Sequence, residues 1–184
     1  MNYLLFFLLI SLVNCKGCKD QCECPDLLDR VDWPERGNVS YAEGAGCFRN
    51  ITCGTSFHYT FVPINFTDSE IPRPVDSFNE DAIALSISYE VQTGPNINIF
   101  EFFGMICENN EWYITKYPYG IHYFSTSIDD IYIGANGELD GKKTKLNHFS
   151  CHRSRFESEE GLKKFNWLPY SEEKRSKVYN PSVE

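Results

Sequence analysis

Eight cysteines, at positions 15, 18, 22, 24, 47, 53, 107 and 151, constrain this 184-residue chain more than any other feature, because each must end as a thiol, a disulfide or a metal ligand. The compartment decides among these fates. Met1 to Val13 reads MNYLLFFLLISLV, an apolar run of about eleven residues from Tyr3 that fits a secretory signal and is too short to span a bilayer. It lacks a positive leading region; Val13 and Cys15 suit the small positions before a cut. Cleavage is therefore expected after Cys15, with Gly17 as second choice. No later run approaches the length of a membrane span and the C-terminus is polar, so the expected product is secreted and extracellular, with no membrane span. In that setting the cysteines read as disulfides. Losing Cys15 leaves seven, an odd number that implies a free thiol, a covalent dimer through the odd cysteine, or a different cleavage point.

Lys16 to Cys24, KGCKDQCEC, crowds Cys18, Cys22 and Cys24 together. A zinc or copper thiolate cluster would use such spacing, but oxidising surroundings favour a disulfide-tied lead, so neither metal nor cofactor is expected. Cys22 and Cys24 lie at the edge of bridging distance if extended and should pair outward. Cys47 and Cys53, at the ends of one straight strand, would be roughly 20 Å apart, so each pairs elsewhere and ties the lead to the sheet. Cys107 with Cys151 is the pairing expected first. It would close about 44 residues and stabilise by roughly 4 kcal/mol in the chain-entropy model. About three disulfides are expected in all.

Beyond the signal about 169 residues remain, enough for one domain, and 15% aromatic content favours β structure over a helical bundle. The expected division is 1–15 signal peptide, 16–46 Cys-rich N-terminal lead, 47–156 β domain and 157–184 disordered or short-helix tail. Pro25 to Trp33 should make one helical turn with Leu27, Leu28 and Val31 inward. Gly37-Asn38 and Gly44-Ala45-Gly46 mark loop. Cys47 to Val62 alternates as two strands broken at Gly54-Thr55. Pro63 to Asp81 is long, acidic and proline-marked, which suits an exposed functional loop or a strap along a sheet edge.

Ala84 to Val91 reads as a strand with Leu85, Ile87, Tyr89 and Val91 on one face and Ser86, Ser88 and Glu90 wet. Ile97 to Ile106 reads as a second, central strand. Asn109-Asn110 forms a hairpin tip that returns Trp112 to Tyr117, and Ile121 to Phe124 and Ile131 to Ile133 offer shorter strands. Asn136-Gly137 signals a two-residue hairpin, and Leu146 to Cys151 brings the chain back. The expected fold is all-β: a small disulfide-stapled antiparallel sandwich or curled sheet with a flexible C-terminal tail.

The net charge of -9 argues against nucleic acid or an anionic membrane as partner. No Gly-x-Ser-x-Gly elbow, no His-Glu-x-x-His helix and no phosphate-binding glycine loop occurs. His148 and His152 are four apart around Cys151 and could form a metal corner, yet no third ligand is close in sequence; His58 and His122 are isolated among aromatics. Asn136 to Gly141, NGELDG, imitates the start of a calcium loop, but Asn147 stands where a bidentate Glu is needed, so a turn with exposed acids is expected. Asn38, Asn50 and Asn65 head Asn-x-Ser/Thr triplets and are glycosylation candidates.

Trp112, Tyr113, Tyr117, Tyr119 and Tyr123 crowd around Pro118 and Gly120. They could stack on sugars or grip a protein, although filling a small core needs the same residues. The expected function is a secreted non-enzymatic module that binds an extracellular protein or glycan through loops. The alternatives are a secreted hydrolase whose site is assembled only in the fold, through His122 or His148 and a carboxylate, and a protease inhibitor using Pro63 to Asp81.

Cys47-Phe48-Arg49-Asn50-Ile51-Thr52-Cys53, followed by Ile106-Cys107-Glu108-Asn109-Asn110-Glu111-Trp112 and a late Cys151, resembles a nematode-expanded family of small secreted cysteine-containing domains of unknown function. The resemblance covers Cys47 to Cys151 and carries over no catalytic residue. The Cys-x(4)-Trp piece also looks like a complement-control module, but there the last cysteine follows the tryptophan closely, whereas Cys151 lies 39 positions after Trp112.

Overall fold

The computed structural model describes residues 22–32, 39–53, 58–86 and 97–153. The signal-like run, Cys15, Cys18, Asn38, Ile87 to Val91 and the tail from 154 lie outside the described residues. The described part is mostly antiparallel strand, as an all-β, disulfide-stapled chain requires.

A 3-10 turn at Leu27–Arg30 is capped by Asp26, whose carboxylate accepts the Leu28 N–H at 3.0 Å, and it buries Leu27. β1 (Val39–Glu43) pairs with β2 (Arg49–Cys53) as a two-stranded ribbon, so a stretch expected to be loop is strand. Five strands form the largest sheet, in the order β10 (Ser150–Arg153), β3 (His58–Asn65), β4 (Asp81–Leu85), β7 (Ile121–Phe124) and β8 (Asp130–Ile133). A third sheet holds β5 (Ile106–Glu108), β6 (Glu111–Ile114) and β9 (Thr144–Lys145). Asn109 (φ 53) and Asn110 (φ 64) make the expected tip between β5 and β6. Both central residues are left-handed, as a two-residue hairpin turn needs.

Three sequence expectations give way to local chemistry. Residues 97–106 contain a short helix, α1 (Ile99–Phe102), rather than a strand. Asn98 caps it by accepting the Phe100 N–H, and Gly104 (φ 55) ends it, with Gly104 N–H bonded to Glu101 and Met105 N–H to Phe100. A capping asparagine and a left-handed glycine six positions apart outweigh the apolar run between them. Asn136-Gly137 does not join paired strands. Only Gly137 is left-handed, and the turns from Gly134 to Lys142 carry the chain from β8 in one sheet to β9 in another. In β4 the phase is reversed: Ala82, Ala84 and Ser86 are buried while Ile83 and Leu85 are half-exposed. Ser86 is tolerated inside because its hydroxyl accepts the Thr60 N–H at 2.7 Å.

Three disulfides staple this arrangement: Cys22–Cys47, Cys24–Cys107 and Cys53–Cys151. The expected Cys107–Cys151 bridge is therefore corrected. Cys107 sits in β5 of the third sheet and meets the lead, whereas Cys151 in β10 lies on the inner face opposite Thr60 and meets the end of β2. Cys22 and Cys24 both pair outward, as extended spacing requires. Sulfurs of Cys22, Cys47 and Cys107 lie within 4.8 Å of one another, but all three are consumed in disulfides and offer no thiolate to a metal.

One core unites these parts. The inner face of the large sheet supplies Val62, Ile64, Ala82, Ala84, Ile121 and Tyr123; β6 supplies Trp112 and Ile114; and Leu27 and Val31 of the lead join the same cluster.

Candidate functional site

The aromatic group around Pro118 faces inward. In β6 alternation turns Trp112 and Ile114 into the core, where the Trp112 indole donates to the Pro25 carbonyl at 2.8 Å and meets the edge of Phe100 at 6.1 Å. Tyr117 is fully buried; its hydroxyl lies 2.6 Å from Thr144 Oγ1 and 3.0 Å from the Lys142 carbonyl. Burial holds the Tyr117 phenol well above its usual titration range. Tyr119 and Tyr123 are also buried, and Tyr123 donates its hydroxyl to Asp76 at 2.9 Å. Only Tyr113 is half-exposed. These rings fill the core of a small sheet protein and do not form a stacking platform.

The histidines separate. His148 lies 3.6 Å from the Asp32 carboxylate, and the side chain of His58 in β3 is outside the described residues. His152 shares a hydrogen bond with Ser150 Oγ at 2.8 Å and packs between Tyr59 and Phe61. His122 meets Asp130 at 3.0 Å, stacks on Tyr132 at 4.8 Å and touches Phe124 edge-on at 5.2 Å. Both His122 and His148 thus reach a carboxylate, but among the described residues neither ring bonds a hydroxyl or thiol nucleophile. In the NGELDG turn, Asn136 accepts the Glu138 N–H and Asp140 accepts the Tyr117 N–H, so these oxygens serve backbone donors; Asn147 turns to Asp68.

What the strands leave exposed is the outer face of the large sheet. Register places Phe61 opposite Leu85, Pro63 opposite Ile83 and Ile83 opposite His122, which is in turn opposite Tyr132. These residues lie on one face and are half-buried or exposed. A wet sheet face ordinarily alternates to polar residues; this one carries Phe61, Pro63, Ile83, Leu85, Phe124 and Tyr132 beside the polar Asn65, Asp81, His122 and Asp130. β4 shows the inversion most plainly, with alanines inside and Ile83 and Leu85 outside. The signal was present in the sequence as alternation of small with large apolar residues, and it reads equally well in either phase until the partner strands are known.

Of the segment Pro63 to Asp81, expected to be loop or strap, Pro63 to Asn65 complete β3 and Asp81 begins β4; the residues between extend this face. The segment is a strap, pinned by buried Phe66 and Ile71, by a Ser69–Thr144 bridge and by the Glu70 N–H to Lys143. A second bridge, Ser77–Ser125, sets Phe78 opposite Phe124, whose carbonyl accepts the Phe78 N–H at 2.8 Å. The Thr126 N–H bonds the Asp76 carbonyl, which brings the strap against the β7–β8 turn. Val75, Phe78, Phe124 and Ile128 are exposed at this end by 105%, 65%, 45% and 76%, four of the six large hydrophobic residues that are exposed among the described residues.

Residues 20–151 match the model of a protein family described as TRA-1 regulated protein R03H10.4, a nematode family of unknown function. The match covers more than half of the chain and takes in Cys22 and Cys24 of the lead as well as the segment from Cys47 to Cys151. No curated protein and no solved structure matches.

Proposed function

We propose that this chain, which belongs to the family of TRA-1 regulated protein R03H10.4, is a secreted, non-enzymatic module that binds an extracellular protein through the outer face of its five-stranded sheet. The observation that carries the reading is the outer row Phe61–Leu85, Ile83–His122–Tyr132 and Phe78–Phe124, large apolar and aromatic residues on the face turned away from the core. Export is supported by the signal-like run and by three disulfides. Among the described residues no helix is long and apolar enough to cross a membrane. A protein is favoured over a glycan because four of the five rings that the sequence offers for sugar stacking, Trp112, Tyr117, Tyr119 and Tyr123, are inside. An inhibitory loop at residues 63–81 finds less support, since that segment is bound down along its length.

The test is photocrosslinking in the fluid into which the protein is released. A photoreactive phenylalanine at position 124 should capture another polypeptide, and one at exposed position 138, in the turn before β9, should not. A folded protein that gives no adduct from position 124 overturns the reading.

A serine hydrolase is the second reading, favoured by the 2.8 Å contact between Ser150 and His152. The Ser150 residue is only 4% exposed, which is poor presentation for a nucleophile. A fluorophosphonate adduct on Ser150 would promote it; unmodified mass after treatment ends it.

A further inference from the structure

We infer that the end of the outer face formed by Phe78, Phe124 and Ile128 docks a cationic apolar segment, one in which aliphatic or aromatic side chains are flanked by lysine or arginine. The inference rests on the protein-binding reading and names the chemistry of the partner.

The apolar half of the claim comes from how the end is built. The strap runs antiparallel to the end of β7, so Phe78 and Phe124 take opposed backbone positions, both exposed, and Ile128 in the turn beyond them is exposed as well. Ile128 has φ 67. A β-branched residue in the left-handed region is strained, and such strain persists only where its surroundings over-determine it. Here they do: Ile128 N–H bonds the Ser125 carbonyl at 2.8 Å, Ser125 N–H bonds the Asp129 carbonyl at 3.0 Å, and Ser125 Oγ accepts the Asp129 N–H at 3.1 Å. The turn would be relaxed with glycine or asparagine at position 128. It carries isoleucine, which packs little and projects far.

The cationic half comes from charge. Asp76, Asp129 and Asp81 stand on the strap, on the turn and at the start of β4, and each is held by neutral donors: Tyr123 at 2.9 Å, Ser127 at 2.5 Å and Asn79 at 3.0 Å. Among the described residues no cation pairs with these three; Arg73 is engaged by Glu80 and His122 faces Asp130. A neutral donor orders a carboxylate without cancelling its charge, so the apolar end is rimmed by negative potential. The whole chain carries -9, which opposes a second copy, an anionic glycan or an anionic lipid at the same place. A partner with lysine or arginine around an apolar anchor meets both features.

The experiment uses the full disulfide-bonded protein and two synthetic probes, a short amphipathic peptide of lysine and leucine and its glutamate and leucine counterpart, measured by titration calorimetry at low and high salt. The lysine peptide should bind with salt-sensitive affinity, the glutamate peptide should not, and Phe124→Ser or Ile128→Ser should weaken binding at least about tenfold, a loss typical of a buried interface anchor. Asp76→Asn with Asp129→Asn should weaken it about threefold and flatten the salt dependence. The substituted side chains are exposed, and Asp76 and Asp129 are paired with neutral hydroxyls that an asparagine oxygen also accepts, so native near-UV dichroism is expected to persist and is checked for each. Equal binding of both peptides, no binding of either, or lysine-peptide affinity unchanged by the two serine substitutions overturns the inference, the last because it reports general attraction to an acidic protein. Failure here with an adduct still formed at position 124 leaves the binding module standing and removes only the cationic partner.

Discussion

The Trp112 indole and the Pro25 carbonyl, 87 positions apart, share a 2.8 Å hydrogen bond inside the core. That bond fastens the N-terminal lead to β6 beside the Cys24–Cys107 disulfide, so lead and sheet form one packed body. Trp112→Phe removes the donor, leaves the carbonyl short of a partner and opens space in a fully buried position. A loss of about 2 kcal/mol is expected, against about 4 kcal/mol for Trp112→Ala. Urea unfolding followed by near-UV dichroism measures both. Binding at the outer face should survive Trp112→Phe in the folded protein, because the indole does not reach that face.

Non-reducing peptide mapping should recover Cys22 with Cys47, Cys24 with Cys107 and Cys53 with Cys151; a peptide joining Cys107 to Cys151 would contradict the topology. The three crosslinks should not be worth the same. Replacing both partners with alanine should cost roughly 4.7 kcal/mol for Cys53–Cys151, which spans 98 positions, and roughly 3.5 kcal/mol for Cys22–Cys47, which spans 25. An equal loss at the two sites would show that strain or residual structure, not loop closure, sets their contribution.

Much of the strand inventory could be read in advance because it rests on local chemistry. Asn109-Asn110 demands a left-handed turn, alternation in Glu111–Ile114 and Ile121–Phe124 fixes an inner and an outer side, and Cys22 and Cys24 cannot pair with each other. What escaped depends on partners distant in sequence. The choice of Cys24 over Cys151 for Cys107 follows from which strands share a sheet, which spacing does not reveal. The phase of Ile83 and Leu85 depends on Ser86 finding the Thr60 N–H across the sheet. The exposed end at Phe78, Phe124 and Ile128 is made by a strap folding back on a turn about fifty residues later. Aromatic density drew attention to Trp112 and Tyr117 instead, and density alone does not separate a core from a surface.

Stability should fall at alkaline pH through Tyr117. The unfolded phenol loses its proton near the ordinary tyrosine value of about 10, while burial keeps the folded one protonated well above that. The unfolded state therefore binds fewer protons than the native state once pH passes about 10, and stability present below that pH is lost as pH rises through the folded value, by up to about 1.4 kcal/mol per unit. Tyr41, pushed up to about 12 by burial and by Asp26, adds to the slope. Tyr117→Phe should cost about 1 to 2 kcal/mol at neutral pH through its lost hydrogen bonds and should flatten the alkaline decline. Phenolate absorbance that steps together with unfolding in the wild type, and a shallower slope in the variant, are the readouts.

Asn50 and Asn65 should behave differently when altered, even if both carry glycans. Asn50 is exposed on β2 and its amide supports no turn among the described residues, so Asn50→Gln should lose one glycan mass and little stability. Asn65 caps the 3-10 turn Phe66–Asp68: its Oδ1 accepts the Thr67 N–H at 2.9 Å and the Thr67 hydroxyl at 2.5 Å. Asn65→Gln should lose a glycan and about 1 kcal/mol, whereas Asn65→Asp should lose the glycan and keep the cap. Intact mass of protein secreted from eukaryotic cells, before and after deglycosylation, together with urea midpoints, separates the two roles. A midpoint unchanged in Asn65→Gln would show that the cap contributes nothing.

Ile128 offers the sharpest division between stability and binding. Its side chain is 76% exposed and buries little, while its φ of 67 costs about 1 to 3 kcal/mol for a β-branched residue. Asparagine occupies the left-handed region with less penalty and without the added chain entropy that glycine brings to the unfolded state. Ile128→Asn should therefore raise stability by about 1 kcal/mol, visible as a higher urea midpoint at unchanged slope, and Ile128→Val should leave it nearly where it was. The same Ile128→Asn protein should bind the lysine and leucine peptide more weakly than wild type. A residue whose removal stabilises the fold and harms recognition is retained for recognition. If Ile128→Asn instead destabilises, the side chain is packing the turn from Ser125 to Asp129, and its exposure has no functional meaning.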